Sequence, residues 1–121
     1  MDKIKFDQNK LLLKTYSELY LVSLDKTLFF QADDHYSYAC YTDRDRVMLP
    51  FGLSVIEERL NDPKYNNQFI RLGRKYIVNV ARISKINVFK QQLFFEGKEN
   101  SIVLNIPKQL LAQLMEMIES E

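Results

Sequence analysis

FIRLGRKYIVNV, residues 69–80, is the most informative stretch of the sequence. Two apolar runs, rich in β-forming residues, flank a short basic segment with Gly73 at its centre. This pattern predicts a strand, a sharp connection that carries Arg74 and Lys75, and a second strand. A solvated turn between buried strands is the commoner origin of such a pattern. The alternative is a rigid platform that presents cations to a polyanion.

The stretch, continued to residue 86, resembles the signature of the LytTR family of bacterial DNA-binding output domains. The positions that match the family pattern are Phe69, Arg71, Arg74, Ile77, Val78, Asn79, Ile83 and Ile86. Gly73 stands where the family often has histidine, and Lys75 where it often has serine. The resemblance covers about residues 11–118. It implies an elongated arrangement of small antiparallel sheets whose loops project to one side.

Composition sets bounds but does not identify a function. A chain of 121 residues is one domain, and we assign residues 1–10 to a lead-in arm and residues 11–121 to the domain. Seventeen cations and sixteen acids give a net charge of +1, which neither supports nor excludes nucleic acid. Cys40 is the only cysteine, so no disulfide framework or thiolate metal cage is expected, and a cytoplasmic location follows. No apolar run has the length of a membrane span.

Short apolar runs separated by polar breaks predict a mainly-β fold of about nine or ten strands. One short helix is expected at about residues 53–60, where Ser54 and Glu57 have capping-box spacing. A C-terminal helix is expected at about residues 106–118, because apolar residues there recur at helical spacing. Asn105 is the expected cap of that helix, with Pro107 in its first turn.

A second candidate segment contains two acids beside the single histidine of the chain, at residues 33–37. No second histidine or cysteine lies close enough in sequence to suggest a metal-ligand set. The segment is similar to the family's connection between two strands that reaches DNA. On that resemblance His35, Tyr36 and Ser37 are candidates for base-edge or phosphate contacts. Burial on the sheet face is the alternative for Tyr36.

The resemblance assigns the remaining DNA-binding candidates. Arg74 is the expected base-edge contact, since a guanidinium suits guanine O6 and N7. Lys75 and Lys108 are expected at phosphates. Arg71 either clamps phosphate or pairs with an internal acid. Asn79, a polar residue in an apolar strand, is expected to satisfy buried backbone groups.

The function that follows is sequence-specific binding of double-stranded DNA as the output domain of a transcriptional regulator, without a cofactor. The resemblance also allows a homodimer on paired half-sites and an upstream phospho-receiver domain in a longer chain. A protein-interaction module that keeps the fold without binding DNA is the main alternative, motivated by the low net charge, Gly73 and Pro107. An enzyme built on His35 and its neighbouring acids is the third alternative. It ranks last because no nucleophile or substrate anchor accompanies these residues.

Overall fold

Strands dominate the computed structural model, which describes residues 9–65, 68–97 and 101–120. The strands are β1 (Lys10–Lys14), β2 (Leu19–Ser23), β3 (Thr27–Asp33), β4 (Tyr36–Tyr41), β5 (Val47–Leu49), β6 (Phe69–Leu72), β7 (Tyr76–Asn79), β8 (Ile83–Asn87), β9 (Gln92–Phe95) and β10 (Ile102–Asn105). The helices are α1 (Leu53–Leu60) and α2 (Lys108–Glu119), with a 3-10 turn at Val80–Arg82. The prediction of a mainly-β fold with one short helix and a C-terminal helix is confirmed.

The strands form three antiparallel sheets. The central sheet has the order β5-β4-β3-β7-β6, and β1-β2 and β10-β9-β8 form the other two. Two hydrophobic cores use opposite faces of the central sheet, as the alternation of side chains along a strand requires. The first core joins Phe30 and Ile77 to β1, β2 and α1. The second joins Phe29 and Val78 to β9 and α2. The central sheet is therefore held on both faces.

Antiparallel pairing brings four connections to one end of the molecule. The turn at residues 34–35 links β3 to β4, and the turn at residues 73–75 links β6 to β7. Because Gln31 pairs with Tyr76, these turns lie side by side. A single groove places residues 73–75 next to the turn at residues 88–91 and the β10–α2 connection at residues 106–107. We call these four connections the loop end.

Two expected helix caps are wrong. The N-cap of α1 is Gly52, with no side-chain cap, and Ser54 lies inside the helix. Glu57 instead points toward Arg71. The N-cap of α2 is Pro107, again without a side-chain cap. Asn105 is the last residue of β10 and pairs with Gln92, so its backbone already belongs to a sheet.

The expected lead-in arm lies mostly outside the described residues, which begin at Asn9. Lys10, its last residue, already belongs to β1 and pairs with Ser23. The first sheet therefore starts at least one residue before the expected domain boundary.

Candidate DNA-binding surface

The turn between β6 and β7 is a short, rigid mount for two cations. Leu72 pairs with Tyr76, so residues 73–75 form the whole connection. Gly73 has φ +63°, a left-handed conformation that glycine adopts without steric cost. A Cβ at Gly73 would also lie 3.1 Å from Cδ1 of Leu110 on α2. The backbone N–H of Ala32 donates to the Lys75 carbonyl at 2.8 Å, which ties the turn to β3.

Both cations of this turn are available to a ligand. Arg74 and Lys75 are exposed, whereas Leu72 and Ile77 on either side are buried. Within the part of the chain that the structure describes, neither charged side chain has a hydrogen bond or an ion pair. A guanidinium without a partner keeps its whole donor fork for an incoming group. The exposed-turn interpretation of the sequence and the cation-platform interpretation are therefore compatible.

Arg74 and Lys75 line a groove of about 440 Å³. Its remaining described lining comes from the ends of β6, β7 and β10, the turn at residues 88–91 and the start of α2: Leu72, Gly73, Tyr76, Gln91, Asn105, Ile106, Pro107 and Leu110. Among the described residues, no carboxylate belongs to this lining. The groove therefore combines apolar walls with positive charge, although the whole chain is nearly neutral.

The β3–β4 turn places two candidate residues at the loop end. His35 and Tyr36 are exposed, so the alternative of a buried Tyr36 does not hold. Asp34 has φ +57°, a conformation that aspartate tolerates better than most residues. His35 Nε2 lies 3.8 Å from Asp34 Oδ1, but these side chains are 90% and 83% exposed. So exposed a pair lacks the enclosed cleft that an enzyme using His35 would need.

Ser37 is buried, unlike the neighbouring candidates His35 and Tyr36. Its relative exposure is 0%, and it pairs with Ala32 on β3 and Leu49 on β5. Its hydroxyl has no hydrogen-bond partner among the described residues. A side chain inside the central sheet cannot reach phosphate or a base edge in this conformation. The structure therefore removes Ser37 from the candidate surface.

Arg71 follows the second of its two expected alternatives. Its Nη1 lies 3.1 Å from Glu57 Oε1, and its Nε donates to the Gly73 carbonyl at 2.9 Å. These contacts join α1 to the base of the β6–β7 turn. A partly exposed ion pair of this kind contributes little to stability by itself. The Arg71 guanidinium is thus engaged by Glu57 and Gly73, whereas that of Arg74 has no partner among the described residues.

Lys108 reaches the loop end as the first residue of α2, where it is exposed. Its ammonium nitrogen lies 5.1 Å from the ring centroid of Phe89 in the turn at residues 88–91. Sequence reasoning placed Lys108 among the candidates but assigned no role to Phe89. The available signal was an aromatic residue directly before the polar run Lys90, Gln91 and Gln92.

Asn79 lies at the opposite end of β7 and has the expected structural role. It is 1% exposed, and its Nδ2 donates to the carbonyls of Leu24 at 3.2 Å and Thr27 at 2.8 Å. Its Oδ1 accepts from the Ala81 N–H at 3.1 Å. One amide thus closes the connection between β2 and β3 against β7. Asn79 has no exposed polar atom to offer to DNA.

Residues that could bind a metal or act as a nucleophile are few in the described part of the chain. No cluster of three or more histidine, cysteine, aspartate or glutamate side chains with metal-binding geometry occurs in residues 9–65, 68–97 and 101–120. Burial raises the pKa of the half-buried Cys40 thiol to about 11, against a smaller lowering by Arg46. Such a thiol is a poor nucleophile at neutral pH. Neither helix in these ranges combines the length and hydropathy needed to cross a membrane.

Comparison with known proteins places this mainly-β domain with its basic loop end in a class of DNA-binding domains. The family model described as the LytTr DNA-binding domain matches residues 17–119. That range is most of the chain, and the chain belongs to the LytTR family.

One solved structure of that description shares the fold. It is described as the LytTr DNA-binding domain of a protein named as a methyl-accepting/DNA response regulator from Bacillus cereus. The two chains are 19% identical with a TM-score of 0.62, and the match covers 91% of this chain and 96% of that chain. At this identity the likeness establishes the architecture alone. No curated protein matches the chain.

Proposed function

We propose that this domain binds double-stranded DNA through its loop end, as the output domain of a bacterial transcriptional regulator. The observation that carries the proposal is the pair Arg74 and Lys75, both exposed and unpaired in the described structure, on a rigid turn beside a groove that no described carboxylate lines. Membership of a family of DNA-binding domains supports the same conclusion. A nearly neutral chain can bind a polyanion when its cations are segregated in this way.

In this proposal Arg74 recognises a base edge. Its guanidinium projects from a turn that Gly73, β3 and α2 hold in place, so little backbone entropy is lost when a base is bound. Guanine presents O6 and N7 side by side in the major groove, and the planar fork of an arginine fits them with two parallel hydrogen bonds. Lys75 and Lys108 supply point charges for phosphates on either side.

His35 and Tyr36 complete the proposed surface from the neighbouring β3–β4 turn. A histidine and a phenol can each contact a phosphate oxygen or a base edge. Their turn lies beside residues 73–75 because β3 pairs with β7. One duplex could thus meet both turns without rearrangement of the central sheet. Arg71, held by Glu57, supports the turn from behind in this arrangement.

The regulatory context is part of the proposal. A homodimer on paired half-sites would double the contact area of a small domain, and half-site spacing would then report the geometry of the dimer. A phospho-receiver domain in a longer chain would control that dimer. The cytoplasm, where bacterial DNA lies, is the proposed compartment.

A protein-interaction module is the second candidate, and one observation favours it. Asp33 and Asp34 are exposed at the same end as the cations. Carboxylates repel phosphate, and mixed charges are common at protein interfaces. The position of these acids on only one of the four loop-end connections is the reason we rank DNA first.

Fluorescence anisotropy against a pool of random-sequence duplexes, measured across a salt series, tests the proposal. We expect binding that weakens steeply as salt rises, because cations at phosphates release bound counterions. Selection of the bound fraction should then enrich a defined sequence, with paired half-sites if the domain dimerises. Absence of binding even at low salt would overturn the proposal and favour the protein-interaction module.

A further inference from the structure

Phe89 is exposed in a way that packing of the domain does not explain. Its side chain is 82% exposed at the tip of the β8–β9 hairpin. It is the only phenylalanine that the described part of the chain leaves exposed, since the others are buried or half-buried. An isolated exposed apolar residue is ordinary on a protein surface. Its surroundings make Phe89 different.

The turn that carries Phe89 is held in place. The Gln91 N–H donates to the Val88 carbonyl at 3.1 Å, and Gln91 has φ +57°. Asn87 Oδ1 accepts from the Lys90 N–H at 3.0 Å. The Gln91 carbonyl accepts from the Ile106 N–H at 3.0 Å, which ties the turn to the β10–α2 connection. Phe89 is thus presented at a fixed place.

Positive charge lies beside this aromatic ring. Lys90 follows it directly in the turn, and the Lys108 ammonium lies 5.1 Å from its centroid. Gln91, two residues on, lines the groove that Arg74 and Lys75 also line. An apolar ring beside a cation fits a ligand that has apolar surface next to anionic groups. Duplex DNA has this alternation, since sugars and base edges lie between the phosphates of each groove.

We propose that Phe89 is an apolar DNA contact, which enters a groove and packs on deoxyribose and base edges beside the phosphate that Lys108 binds. This inference rests on the proposed function and adds a contact that charge alone does not provide. Cations give affinity that falls with salt, whereas burial of a phenyl ring gives affinity that does not. Phe89 and Lys108 should therefore differ in the kind of binding energy they contribute.

The experiment compares variants on one duplex selected by the wild-type domain, by anisotropy at four or more salt concentrations. Phe89→Ser should weaken binding about tenfold or more and leave the slope of log affinity against log salt unchanged. Phe89→Leu, which keeps an apolar side chain, should recover most of the affinity. Lys108→Ala should instead lower the slope by about one.

Met117→Ser is the matched control, because Met117 is a half-exposed apolar residue nine positions along α2 from Lys108. It should bind as the wild type does. Thermal unfolding of each variant confirms that the fold is intact. Equal affinity of Phe89→Ser and wild type on the selected duplex would overturn this inference and leave the proposed function standing. Failure of the wild-type domain to bind any duplex would overturn both.

Discussion

The two ends of the β6–β7 hairpin differ in exposure and in the hydrogen bonds that their polar side chains make. At one end, Arg74 and Lys75 are exposed and have no partners among the described residues. At the other, Asn79 is buried and uses both polar atoms of its amide on backbone groups. Only three residues separate Lys75 from Asn79 in sequence. The buried structural contacts and the cations proposed to bind DNA therefore lie at opposite ends of one hairpin.

This separation explains why one short sequence stretch is informative about fold and function together. The buried positions Ile77 and Val78 face the two cores of the molecule, and Asn79 closes the end of the strand. The exposed turn is fixed by those contacts without taking part in them. Substitutions at the exposed end should therefore change DNA affinity, and substitutions at the buried end should change the free energy of unfolding.

The largest effect is expected from Asn79→Ala. It removes the buried amide donor to the Thr27 carbonyl, one of the two donors to the Leu24 carbonyl, and the acceptor of the Ala81 N–H. The free energy of unfolding should fall by about 2–3 kcal/mol, measured by chemical denaturation. Asn105→Ala, at an exposed asparagine, is the control and should change it by less than about 0.5 kcal/mol. A stable Asn79→Ala variant would contradict the structural role.

Arg74→Ala should weaken DNA binding and leave the stability of the domain almost unchanged. It should lower affinity for the selected duplex by about 1–3 kcal/mol and relax preference at one base pair. The free energy of unfolding should change by less than about 0.5 kcal/mol, because the side chain has no described partner. Arg59→Ala removes an exposed cation from the last turn of α1 and is the matched control for charge. Unchanged affinity of Arg74→Ala for its site would remove Arg74 from base recognition.

Gly73→Ala tests how firmly the turn is held. A left-handed φ costs an ordinary residue about 1–2 kcal/mol, and the added methyl group would press on Leu110. The free energy of unfolding should fall by that amount, and DNA affinity should fall with it because Arg74 is displaced. Gly52→Ala, where φ is −73° and the nearest atom is 3.8 Å away, should cost less than about 1 kcal/mol. Equal losses at the two glycines would show that the turn is not strained.

The smallest effect concerns Cys40, which lies between the two ends on β4. Since burial raises the pKa of its thiol to about 11, almost no thiolate is present at pH 8. Iodoacetamide should therefore label the folded domain far more slowly than the urea-unfolded chain, with no loss of DNA binding. Rapid labelling of the folded domain at pH 8 would show that the strand opens or that the thiol is more accessible than it is in the structure.

Local pattern was enough for the strands and for α1, whose bounds match the expected 53–60. Local pattern failed where contacts between residues distant in sequence determine the structure. Ser54 and Glu57 have the spacing of a capping box, but Glu57 pairs with Arg71, fourteen residues away. Asn105 has the composition of a helix cap, but its backbone pairs with Gln92 in a sheet.

At the candidate surface, too, some residues are indicated by local sequence pattern and others depend on distant contacts. The exposed turn position of Arg74 and Lys75 could be predicted, because a glycine-containing basic segment between apolar strands is a local signal. The burial of Ser37 could also be predicted, since Ser37 lies on the same face of β4 as Ala39 and Tyr41, which are buried. The proposed role of Phe89 could not be predicted from the local signal alone, because it depends on the position of Lys108 on another element.

The most direct test of a DNA-binding loop end is a backbone amide chemical-shift map recorded while the selected duplex is added. Binding of DNA by the loop end predicts that the largest shifts fall at residues 33–36, 73–75, 88–91, 105, 106 and 108, since Pro107 has no N–H. Asp25, Lys26, Asp43 and Arg82, which lie toward the end of the molecule that carries Asn79, should shift little. Large shifts at those four residues, with the loop end unchanged, would contradict it.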